Sequence, residues 1–161
     1  MAALGEFEGE AEFARSTRSS GTSSLVFDER MLNKGAYERV RVPIRTLDNF
    51  SLPAIREATS AVLKIDVEGA ELSVLKGGRR WLSQLDNYLA IVELNPRAMI
   101  RASGSLEGFV DELREYGALY EVRGSHVVSF GFDAFVEKKK NKDIVLVGGL
   151  SWCKRLESAR F

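Results

Sequence analysis

Short apolar runs alternate with amphipathic stretches along this chain, and that alternation predicts an α/β fold. Ala61-Val62-Leu63 and Tyr88-Leu89-Ala90-Ile91-Val92 read as strands buried in a sheet, spanning 61–66 and 88–94. Residues 143–148 (D-I-V-L-V-G) predict a last strand, and two more, at 119–123 and 126–130, flank a turn at Gly124. Between them the period changes from two to 3.6. Leu106, Phe109, Val110 and Leu113 fall at i, i+3, i+4 and i+7 after Ser105, a good N-cap, and Gly117 closes the helix. A second helix is expected over 68–76, with Ala70, Val74 and Leu75 toward the sheet and Gly77-Gly78 ending it. Trp81, Leu82 and Leu85 extend the pattern by another turn or two.

The first sixty residues are less regular. Phe7-Glu8-Gly9-Glu10 separates two short segments of strand character, so residues 2–14 predict a β-hairpin. Residues 15–24 are small and polar and predict a loop. Val40, Val42 and Ile44 alternate with Arg41 and Pro43, a half-exposed strand that Pro43 pushes to a sheet edge. A short helix from Leu47 to Glu57, interrupted at Pro53, would follow.

The chemistry concentrates where strand 61–66 ends. Ligands in open α/β sheets sit beyond the carboxyl ends of the strands, and Asp66, Glu68 and Glu71 crowd that place. Asp66 either orients or deprotonates a substrate hydroxyl, or caps the following helix. Glu68 and Glu71, one helical turn apart, either meet polar substrate groups or offset the positive end of the helix. Glu93 and Asn95 end the next strand. A short connection makes the two strands neighbours, which sets Glu93 across from Asp66, and two like charges that close raise one carboxyl pKa. The bland alternative is an Asn-Pro turn with Glu93 tied to a backbone amide or to Arg97. Lys64 shares a strand face with Asp66 and is its natural ion-pair partner. No spacing here matches a metal motif, so no metal is expected, and a metal-dependent hydrolase is disfavoured.

The run Lys64-Ile65-Asp66-Val67-Glu68-Gly69-Ala70-Glu71-Leu72-Ser73-Val74-Leu75-Lys76-Gly77-Gly78 resembles the signature of FkbM-type methyltransferases. Val42–Asp48 resembles the segment before that signature, and Ile91–Pro96 the strand after it. Ala3-Leu4-Gly5-Glu6 with Gly9 resembles the hairpin entered from the family's third strand. The similarity runs from about residue 3 to about residue 148. It implies a partial Rossmann-like methyltransferase sheet with helices on its faces and an N-terminal β-hairpin, in a domain over 1–150 followed by a tail over 151–161.

By the same resemblance, the activity is transfer of a methyl group from S-adenosylmethionine to a hydroxyl on a small molecule or glycan. Asp66 and Glu93 would be catalytic, Glu68, Glu71 and Asn95 would line the substrate mouth, and Ala3 and Leu4 would touch the cofactor. The family's opening glycine-rich turn has no counterpart here. Weak S-adenosylmethionine binding is therefore expected, and a non-catalytic fragment or binding module is the alternative. The same gap predicts that strand 61–66 is an unguarded edge, open to a second copy or a complementing fragment.

Composition mainly excludes. The 161 residues hold 23 Lys plus Arg against 23 Asp plus Glu, a formal net charge of zero, so no general nucleic-acid footprint exists. At that balance the run Lys138–Lys142 reads as a solvated turn. No apolar run reaches the ~18–20 residues of a membrane span, and no signal peptide opens the chain, which makes the cytoplasm the expected compartment. Cys153 is the single cysteine and lacks a nearby His, so neither an intrachain disulfide nor a nucleophilic role is expected. His126, alone in an apolar strand, reads as a satisfied structural histidine.

Overall fold

The computed structural model describes residues 2–33, 35–50, 53–138 and 140–149. The tail over 151–161, with Cys153, lies outside the described residues. Two sheets form the framework. A five-stranded sheet has the order β4-β5-β8-β6-β7, built from β4 (Ser60–Ile65), β5 (Asn87–Leu94), β6 (Ala118–Arg123), β7 (His126–Ser129) and β8 (Lys142–Gly148). β4 and β5 are parallel, and β8, β6 and β7 add antiparallel. The chain is thus a mixed α/β fold, as its alternating pattern requires.

Helices α3 (Glu71–Gly77), α4 (Arg79–Gln84), α5 (Pro96–Ser103), α6 (Leu106–Arg114) and α7 (Phe132–Lys138) supply the second layer. Their apolar sides meet one face of the sheet. Ile65, Ala90, Val92, Leu94, Ile144 and Leu146 join Leu75, Met99, Phe109, Leu113 and Phe135 in a single buried cluster. Strand alternation sends 61, 63 and 65 into it and leaves 60, 62 and 64 facing away. Helices α3 to α7 therefore gather on one face rather than on both.

The N-terminal region differs from the expected hairpin over 2–14. The segments β1 (Ala3–Leu4) and β2 (Gly9–Ser16) do not pair with each other. Each pairs with β3 (Tyr37–Arg45), β1 parallel and β2 antiparallel, in a sheet of order β1-β3-β2. The physical reason is length: eight residues of β2 find a full register on β3, which the two residues of β1 could not offer. Pro43 consequently sits in a central strand, not an edge strand. The position tolerates proline because β1 reaches only Ile44 and Arg45, leaving Pro43 with a neighbour on the β2 side alone.

Between β1 and β2, Glu8 clamps the end of β3. Its carboxylate accepts from the Thr46 backbone N–H at 2.7 Å and the Thr46 hydroxyl at 2.8 Å, and from Arg45 at 3.0 Å. The Thr46 amide foremost, with Arg45 and the Thr46 hydroxyl, pulls the Glu8 carboxyl down to about 2. A depressed acid contributes stability above its unfolded pKa and loses it as pH falls through the folded value. Glu8→Gln should therefore flatten the stability profile from the ordinary carboxylate range down to pH of about 2. A carbon-detected titration that put the Glu8 midpoint in the ordinary range would remove the clamp.

Several local expectations shift. The stretch 47–57 is a 3₁₀ turn at Leu47–Asn49 and a short α2 (Pro53–Arg56), with residues 51 and 52 outside the described set. A four-residue helix, α1 (Glu29–Leu32), starts on an Asp28 cap. His126 is not a core histidine: β7 is the outer strand, and the ring is exposed with Nδ1 3.0 Å from the Ser125 hydroxyl. Lys142 leaves the solvated run to open β8, where its ammonium and the Arg123 guanidinium pair with the buried Glu121 carboxylate. A carboxylate taken out of water needs such partners.

Candidate functional site

The turn after β4 is built by its own acids. Val67, Glu68 and Gly69 reverse the chain, Glu68 with φ of 53° and Gly69 with φ of 105°. A left-handed glutamate is costly unless its surroundings hold it. Glu71 does much of the holding. Its carboxylate, only 2% exposed, accepts from the Gly69 N–H at 3.0 Å and the Val67 N–H at 3.3 Å. Burial is the larger effect on this group and pushes its carboxyl pKa up, while the amides pull it down. The Ser24 hydroxyl, brought in by the β2 end of the smaller sheet, donates to the Glu68 carbonyl at 2.8 Å. Gly69 is required as glycine twice over, by its φ and because a Cβ would lie 2.9 Å from that of Ala98 on α5.

The turn sets two groups of residues on different sides. Asp66 follows β4 on the face turned away from the helices. There its carboxylate takes the Lys64 ammonium at 2.6 Å and shares a hydrogen bond with Glu93 at the end of β5. The Lys64 ammonium holds the Asp66 carboxyl below its usual value, with the Glu93 hydrogen bond acting the same way against partial burial. Glu93 moves oppositely. Partial burial raises its pKa, helped by the Asp66 and Glu68 charges, although Asn141 Nδ2 donates to its Oε1 at 3.0 Å. The pair therefore splits into an ionised, lysine-bound Asp66 and a Glu93 that keeps its proton longer. The parallel register brings Lys64 opposite Ile91 and Ile65 opposite Val92, which carries the next residue on each strand to the same level.

Asn95 joins the second group. Its Oδ1 accepts from Arg97 N–H at 3.1 Å and Ala98 N–H at 3.2 Å, capping α5, while its Nδ2 donates to Glu68 Oε2 at 3.2 Å. Asn95 is thus both an N-cap and a link between the two strand ends. The sequence signal for α5 was present in Asn95-Pro96, a cap followed by proline in the first turn, with Gly104 at φ of 82° closing the helix. It reads equally as a turn, which is why that helix escapes the pattern.

The five acid and amide residues expected at the mouth do not all face it. Asp66 and Glu93 meet directly, and Glu68 and Asn95 meet each other. Glu71 turns inward and serves the backbone. Asp66 does not cap α3, whose N-cap is Ala70. Ala3 and Leu4 lie away from the pair: β1 runs beside β3, and the chain that follows packs on α3, with Glu6 N–H donating to Ser73 at 3.1 Å. Ser24 is the residue the pattern misses. It sits in a polar loop whose role becomes visible only when the smaller sheet folds against the turn.

An S-adenosylmethionine molecule offers a cationic sulfonium, ribose hydroxyls and an amino-acid carboxylate. The carboxylates of Asp66, Glu68 and Glu93 suit the first two. The third needs free backbone amides, and the turn's own amides at Val67 and Gly69 are already filled by Glu71. Among the described residues, no other turn follows a parallel strand of the larger sheet into a helix except Asn95-Pro96, whose amides Asn95 fills. The described residues thus offer carboxylates to the cofactor's positive centre, while Glu71 closes the Val67 and Gly69 amides to its carboxylate. No group of three or more metal-ligating side chains is gathered among them, and none of their helices is long and apolar enough to cross a membrane.

Residues 2–120 match the family described as methyltransferase FkbM domain. No curated protein and no solved structure matches the chain.

Proposed function

Since the chain belongs to the FkbM methyltransferase family, we propose that its activity is O-methylation, with S-adenosylmethionine as methyl donor and a hydroxyl of a small molecule or glycan as acceptor. The observation that supports this reading is the split carboxyl pair at the strand ends. An alcohol oxygen loses its proton as it gains a methyl group, and a carboxylate with a raised pKa is the better proton acceptor near neutrality. Glu93 takes that role. Asp66, held ionised by Lys64, orients the hydroxyl and steadies Glu93 once it carries the proton. Glu68 and Asn95 border the same turn and bind further hydroxyls, as polyhydroxylated acceptors require. An acid-rich mouth also disfavours anionic acceptors.

A second reading rests on the filled amides. With Val67 and Gly69 both bound to Glu71, the chain works as a binding module for a polar ligand and leaves the methyl donor unbound. Calorimetry separates the two. We expect S-adenosylmethionine to bind this chain weakly, in the millimolar range, and micromolar binding would refute the account of the turn. Label transfer from methyl-labelled S-adenosylmethionine, at millimolar concentration, to a panel of glycosides tests the activity itself. Base-stable label on a neutral sugar supports O-methylation. No transfer at any donor concentration leaves only the binding reading.

A further inference from the structure

We infer that the face of the five-stranded sheet opposite helices α3 to α7 is a self-association surface, and that a second copy of this chain packs on it face to face. The inference is independent of the methyltransferase reading. Its starting point is the register. Val62 lies opposite Leu89, Ile91 opposite Val145, and Val122 opposite Val127, and these positions all point away from the buried cluster. The exposure is large for such residues: 79% for Val62, 63% for Val127, 59% for Val122 and 37% for Ile91. Scattered apolar side chains on a surface need no explanation, but a contiguous sheet face of them marks an interaction site. β4 and β5 run parallel, and parallel strands are rarely left with one face in water.

A second copy fits this surface in three respects. Five strands about 4.8 Å apart and roughly six residues long present a face of about 500 Å². Two such faces bury about 1,000 Å², the threshold of a specific interface. The formal net charge is zero, so two copies approach without overall repulsion. The charged residues on this side, Lys64, Asp66, Glu93 and Asp143, collect at the carboxyl ends of β4 and β5, leaving the centre apolar as an interface core should be. Pairing through the open edge of β4 is the rival arrangement. It would add backbone hydrogen bonds but join two uncovered faces into a larger one, leaving Val122 and Val127 in water. Face-to-face packing removes that surface, and sheets pack this way at about 10 Å separation.

The test is sedimentation over a rising concentration series, comparing the parent chain with Val122→Lys/Val127→Lys. Both valines are exposed in the single chain and lie across the sheet from the β4 edge, so the variant should fold normally by circular dichroism. The expected result is a concentration-dependent parent dimer and a variant whose dimerisation is weakened roughly tenfold or more. A parent that stays monomeric overturns the inference. So does a variant that dimerises as tightly as the parent, which would move the contact to the β4 edge. Should the variant misfold, methyl resonances of the parent decide. Val62, Ile91 and Val145 should shift with concentration while buried Met99 stays still, and the opposite pattern overturns the surface.

Discussion

Glu93→Gln and Asp66→Asn are each expected to cut methyl transfer by roughly 10²–10⁴-fold, the usual worth of a positioned acid–base group. The direction follows from the split of the pair. Partial burial first, then the Asp66 hydrogen bond and charge, raise the Glu93 carboxyl, so the more basic carboxylate of the pair is lost in Glu93→Gln. In Asp66→Asn the Lys64 ammonium loses its 2.6 Å partner, and Glu93 loses the neighbour that raises it. Stability should move by less than ~1 kcal/mol in both, because the Asp66–Lys64 pair is largely exposed and exposed pairs contribute little. The pH profile should share the sign. Activity needs ionised Glu93, so it falls as pH drops through a midpoint above the ordinary carboxylate value, and in Asp66→Asn that midpoint should move down. Turnover within twofold of the parent, with a clearly lower melting temperature, would make both residues structural.

Glu71→Ala should be the most damaging single change in the turn for stability, costing about 2–4 kcal/mol. It strands the Val67 and Gly69 amides without an acceptor inside the protein, and an unsatisfied buried donor costs ~1–3 kcal/mol. The left-handed Glu68 would lose one of the contacts that hold it, so its link to Asn95 should loosen as well. Glu71→Gln is the informative contrast. The amide oxygen still accepts both bonds, and the charge that burial disfavours is gone. An acid whose folded pKa is raised costs stability above its unfolded pKa and regains it as pH falls through the folded value. Glu71→Gln should therefore be neutral or slightly stabilising at neutral pH. Chemical denaturation measures both variants. Equal losses for Ala and Gln would mean that the charge itself matters, and with it a ligand-binding role for Glu71.

These two variants also separate what is local in this chain from what is not. Strands β4, β5, β6, β7 and β8 and helices α3 and α6 are readable from periodicity, because apolar spacing of two or 3.6 leaves few other ways to bury those side chains. Ser105 as a cap, Gly117 and Gly124 as breaks, and the acid-rich turn after β4 are local decisions of the same kind. The nearness of Asp66 and Glu93 follows from one further step, the pairing of adjacent parallel strands through a short connection.

Other features depend on which segments meet across the chain. Glu71 has the same sequence credentials as Glu68, one turn away, but the packing of α3 turns its carboxylate onto the backbone while Glu68 reaches Asn95. Ser24 becomes important only because it bridges to Ala14 of β2, which holds its hydroxyl at the Glu68 carbonyl. The partner of β1 was undecidable from two residues of strand character, and it is β3, beside Ile44 and Arg45, that takes it up. The sequence by itself thus determined the strands of the larger sheet, helices α3 and α6, the family and the nearness of the acid pair, since each rests on contacts within a few tens of residues. Tertiary structure decided the direction of each acid, the join between the sheets, and the apolar face left open, since those depend on which surfaces long-range packing covers.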